Sequence, residues 1–170
     1  MALKSEFSDD AWAGFAGMFA ATHRIVSKAD GAFELEETEV MFSIVEGEYD
    51  VPIEVHEAFD ADPELAREVL ADTGAIVQAM APGRTGERAL RTRDQLREWI
   101  EAAASPEERE RRARLARGLF VAVMYLGLTT AHADGSLDEA ELESWRQVGN
   151  VFGLSDESLN RLQELAASSL

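Results

Sequence analysis

The sequence predicts an all-α protein, a single-domain bundle of about seven helices. Three observations carry that class. Apolar residues recur at three- and four-residue intervals almost throughout, and no convincing run alternates β-branched residues as a strand would. The periodic runs are also separated by helix-ending signals. These are ADG at 29–31 and again at 133–135, YDVP at 49–52, PGRTG at 82–86, Ser-Pro at 105–106 and FGLS at 152–155.

The first helix is expected from about Ser8 to Lys28. It starts after the capping stretch SDD, with Phe7, Trp12, Phe15, Phe19, Thr22 and Val26 close to a three-four spacing. ADGAF breaks it. A second helix follows from about Leu35 to Glu48, with Val40, Ile44 and Val45 on its apolar side, and Pro52 disfavours helix at Val51. VPIEVHEAF suits a short helix, and DPELAREVLADTGAIVQAMA reads as one helical run after a proline start. An amphipathic helix is expected from about Glu87 to Ala104. Ser105 then caps the longest helix, about Pro106 to His132, with Pro106 in its first turn. That helix turns from charged to apolar along its length. The last two are expected from Glu139 to Phe152, stopped by Gly153, and from a Ser155 cap onward.

Bulk composition agrees with one folded domain. The chain has 170 residues, of which 46% are hydrophobic and 29% charged, enough apolar material for a core without staples. Cysteine is absent, which excludes disulfides, thiolate metal sites and a thiol nucleophile. MALKSEFSDD turns acidic before any apolar run develops, so no cleavable signal is expected there. The longest uncharged stretch, GLFVAVMYLGLTTAHA from Gly118 to Ala133, is shorter than a membrane span and reads as a buried core helix. A cytoplasmic location is the expectation. No membrane insertion is expected, with peripheral association left open.

The net charge is −17, unevenly spread. Arg84 to Arg117 holds ten Arg against seven Asp or Glu, about +3, which leaves about −20 elsewhere. Such a field repels nucleic acid and favours cations, a basic protein partner or a further subunit. Within the Arg-rich stretch both signs interleave, as on solvated helix faces.

One motif repeats. SKADGAFELEETE and AHADGSLDEAELE each place Ala-Asp-Gly, an apolar residue and a Glu seven places after the Asp, 104 positions apart. The repeat divides the chain into units of about 8–54 and 106–168, with a helical insertion of about 55–105. Two such units suit helix hairpins around a pseudo-twofold axis. Each part of the motif has a structural use. Gly31 and Gly135 can end a helix in a left-handed conformation, Phe33 and Leu137 can tuck onto the core, and Asp138 with Glu141 has capping-box spacing. Glu34 with Glu37 repeats that spacing with a poorer cap.

The motif also shares the register of a calcium loop at four positions, Asp, Gly, apolar and Glu. Val26 and Lys28 in one copy, and Thr130 and His132 in the other, stand where the remaining carboxylates would be required, so neither copy is an EF-hand. If the twofold brought the corners together, Asp30, Glu37, Asp134 and Glu141 would offer oxygens to one divalent cation. Calcium or magnesium would be favoured over zinc by ligands of that type.

These paired corners, with their flanking helices and FGL-type stop, resemble the TerB-like domain of tellurite-resistance proteins. They are also similar to a domain in the N-terminal region of DjlA-type membrane co-chaperones. The stretch LFVAVMYLGLTTAHADGSLDEAELESWRQVGNVFGLSDESL carries most of the likeness and FAATHRIVSKADGAFELEETEVMFSIVEGEYDVP the rest. The resemblance implies an all-α bundle, a role in bacterial stress response with metal ions, and the acidic residues Asp30, Glu37, Asp134 and Glu141 as the site. Leu35 stands where the second copy has Glu139, which makes the first corner the degenerate one. No His-Pro-Asp sequence is present, so co-chaperone activity is not implied.

Other chemistry is thin. His23, His56 and His132 show no paired spacing, PGRTGER lacks the Lys-Ser or Lys-Thr of a phosphate loop, and no Gly-x-Ser-x-Gly elbow occurs. Trp12, Trp99 and Trp145 are expected in or beside the core. With no nucleophile, base and orienter to name, the expectation is a non-enzymatic binding or scaffold protein. The competing expectation is an interaction module whose corners are only helix caps.

Overall fold

A computed structural model describes residues 3–27, 51–79, 85–131 and 138–169 of the chain. Among them the only regular structure is helical, and no strand occurs. After a single 3-10 turn at Lys4–Glu6 come α1 (Asp9–Ser27), α2 (Ile53–Ala58), α3 (Glu64–Ala71), α4 (Thr73–Ala79), α5 (Thr85–Glu101), α6 (Pro106–Ala131), α7 (Glu139–Val151) and α8 (Asp156–Ser169). The all-α class is therefore correct. The helix expected at Leu35 to Glu48, the YDVP stop up to Asp50, and both ADG turns lie outside the described residues.

Local signals set most boundaries. Ser8 accepts the Ala11 amide at 3.1 Å, Ser105 that of Glu108 at 3.1 Å, and Ser155 that of Ser158 at 3.1 Å. Each hydroxyl satisfies an amide that the first helical turn leaves without a partner. Gly153, at φ 88°, closes α7 as expected. Its amide returns to Asn150 O at 3.0 Å and that of Leu154 to Gly149 O at 3.0 Å, the paired bonds of a Schellman ending.

One boundary differs from expectation. The run expected as one helix is two as far as Ala79, broken at Asp72. Its carbonyl accepts the Ile76 amide at 3.1 Å and its carboxylate the Ala75 amide at 3.2 Å, so Asp72 ends α3 and caps α4. The apolar period runs through the break and conceals it.

Two helices form the centre. α1 packs against α3, α4, α5, α6 and α7, while α6 packs against α1, α2, α3, α5, α7 and α8. They start at one end, where Phe7 and Trp99 rings lie 4.6 Å apart and the Arg112 guanidinium sits 5.1 Å from Trp99. They reach the other end side by side, with Thr22 against Gly127. The second half of α6 is buried on nearly all sides: Leu115, Leu119, Val121, Val123, Met124, Leu126 and Leu128 are each at most 3% exposed. A helix apolar all round belongs inside a bundle, as GLFVAVMYLGL implied. On α1, Trp12, Phe15, Phe19 and Thr22 are buried as the spacing required.

Several arginines of the Arg-rich stretch are tied down within the chain. Arg91 binds Asp10, Arg93 donates to Val151 O at 3.0 Å, and Arg112 donates to Trp99 O at 2.6 Å. Arg112 also bonds the Glu108 carboxylate, and with Arg111 nearby it holds that carboxyl below its usual pKa. Arg117 donates to Asp60 O at 2.7 Å. Arg93 and Arg112 link helices through backbone carbonyls, while pairs such as Glu108 with Arg111 and Arg112 stay within one helix. No described helix is long and apolar enough to cross a membrane.

Candidate functional site

Of the four acidic residues singled out, only Glu141 falls among the described residues. Asp30, Glu37 and Asp134 lie outside them, so their distances to Glu141 are not defined. Glu141 stands in the first turn of α7. Asp138 is the N-cap: it is extended (φ −79°, ψ 169°), and its Oδ1 accepts the Glu141 amide at 2.7 Å. This is the first half of the capping box that the spacing Asp138–Glu141 implied.

The burial of Glu141 was not foreseen. It is 3% exposed, although glutamate is among the residues least often buried. Helix geometry explains it. Glu141, Trp145, Val148 and Phe152 follow one another at four, three and four residues and all lie buried on one face. Trp145 anchors that face: it is fully buried, and its indole N–H donates to Met124 O of α6 at 2.8 Å. A carboxylate carried inward this way needs compensation. Its place at the start of α7 supplies part, because the positive end of the helix dipole favours negative charge there. The spacing was readable in ELESWRQVGNVF, but the charge disguised it.

Replacing Asp138 with alanine is expected to cost about 1 kcal/mol, the usual loss for an N-cap, and Asp138→Ser to restore most of it. Urea unfolding midpoints of the two variants would measure this.

A second polar constellation escaped sequence reasoning. Asp72 Oδ2 accepts from Lys4 Nζ at 2.7 Å and from the Trp12 indole N–H at 2.9 Å, while its Oδ1 caps α4. One carboxylate thus joins the N-terminal turn, α1 and the α3–α4 break. The Leu3 backbone N–H donates to Glu68 Oε2 at 3.0 Å. The hydrogen bond from Lys4 holds the Asp72 carboxyl below its ordinary pKa of 3.8, against a smaller opposing effect of burial and helped by Trp12 and Ala75. The available signal was Asp-Thr-Gly inside a helical run. Beside it an open cleft of about 520 Å³ is lined by Lys4, Trp12, Asp72, Gly74 and Gln78.

A depressed folded pKa stabilises at pH above the unfolded value, and that contribution is lost as pH falls through the folded pKa. Asp72→Asn is therefore expected to destabilise by on the order of 1–2 kcal/mol at pH 7, discounted for the half-exposed Lys4. The gap from the parent protein should close as pH drops below about 4. Denaturation at pH 7 and pH 3 would test both parts.

Among the histidines, His56 is 2% exposed with Nε2 3.3 Å from Gly118 O, a core position. The His23 and His132 side chains lie outside the described residues. No group of three or more His, Cys, Asp or Glu able to hold a metal occurs among the described residues. Trp12 is buried and Trp99 partly so, in keeping with core roles. No family model, curated protein or solved structure matches this chain.

Proposed function

We propose that this chain is a non-enzymatic, acidic TerB-like binding domain of bacterial stress response, with a divalent cation as ligand of its ADG corners. The observation that carries the reading is the repeated ADG spacing, whose second copy ends at Glu141 in the first turn of α7. Carboxylate oxygens suit calcium or magnesium better than zinc. Asp134 precedes Glu141 by seven residues, and Asp30 with Glu37 repeats the spacing. A net charge of −17 draws cations and basic protein surfaces alike and disfavours nucleic acid.

Calorimetric titration of chelator-stripped protein with Ca²⁺, Mg²⁺, Mn²⁺ and Zn²⁺ tests this, paired with thermal melts. The expected result is saturable binding of Ca²⁺ or Mg²⁺, with a rise in Tm that follows ligand concentration by linkage. Binding should be lost in both Asp134→Asn and Glu141→Gln. No heat and no shift in Tm would overturn the cation reading.

A second reading has its own observation. Asp138 caps α7 through the Glu141 amide, which is what a purely structural corner would do. In that case the chain is an interaction module, and its acidic surface meets a basic partner or another copy of itself. Light scattering across ionic strength would then show association that weakens with salt while every titration stays silent.

A further inference from the structure

We draw no further inference here: the strongest candidate, the open cleft between the N-terminal turn, α1 and α4 lined by Lys4, Trp12, Asp72 and Gln78, carries nothing because its Lys4 and Asp72 charges already satisfy one another and nothing in the structure shows what covers it past Ala79.

Discussion

Truncating Trp145 to alanine is expected to lower the free energy of unfolding by ~3–5 kcal/mol, the range for emptying a large aromatic site. The indole is fully buried between α7 and α6, beside Gly127 and near Thr22 of α1, so one side chain wedges three helices. Met124, whose carbonyl accepts the indole N–H, is itself fully buried and poorly placed to collapse into the space. Trp145→Phe keeps a ring but loses the 2.8 Å bond to Met124 O, and should cost only about 1–2 kcal/mol. Far-UV circular dichroism during urea unfolding would measure both variants, and fluorescence from Trp12 and Trp99 would supply a second probe. A loss below about 1 kcal/mol for the alanine variant would mean that α7 is not seated as described. The same variant reaches the candidate site. Glu141 lies one turn before Trp145 on the same buried face, so loosening α7 should also weaken any cation binding that depends on Glu141.

The legible parts of this fold are those fixed by local chemistry. Ser8, Ser105 and Ser155 cap helices because a hydroxyl can reach an amide three residues on, and Gly153 ends α7 because it accepts a positive φ. The apolar period of α1 and the unbroken apolar half of α6 match the faces that the bundle buries. Asp72 shows where such reasoning fails. Its cap competes with a helical period that continues on both sides, and contacts to Lys4 and Trp12, some sixty residues distant in sequence, help to hold it. The candidate site is harder still. Periodicity places Glu141 on the Trp145 face, yet charge argues for solvent, and only packing decides between them. Whether Asp30, Glu37 and Asp134 approach Glu141 depends on how two distant corners are brought together, which local spacing does not encode.

Gly118→Ala should reverse the usual sign of a helical glycine substitution. In an unconstrained helix the change stabilises by about 0.5–1 kcal/mol, since alanine loses less backbone entropy on folding. Here a Cβ at position 118 would lie 1.9 Å from the carbonyl oxygen of Asp62 and 2.8 Å from its carbon. Those atoms are backbone, so no rotamer change relieves the clash. The chain entering α3 is also held where it is: the Asp62 amide bonds Arg114 O at 3.0 Å, Arg117 bonds Asp60 O at 2.7 Å, and His56 Nε2 lies 3.3 Å from Gly118 O. Moving that segment away means stretching all three together. Overpacking ordinarily costs 1–3 kcal/mol, and a backbone clash this deep should reach ~3 kcal/mol or more, a fall in Tm on the order of 10 °C. Gly74→Ala is the control. Its nearest neighbour would be Asp72 Oδ1 at an ordinary 3.8 Å, so it should be neutral or stabilise by about 0.5 kcal/mol. Opposite signs for two identical substitutions would locate the effect at the crossing of α6 with the start of α3. Equal signs would show that this crossing is looser than described.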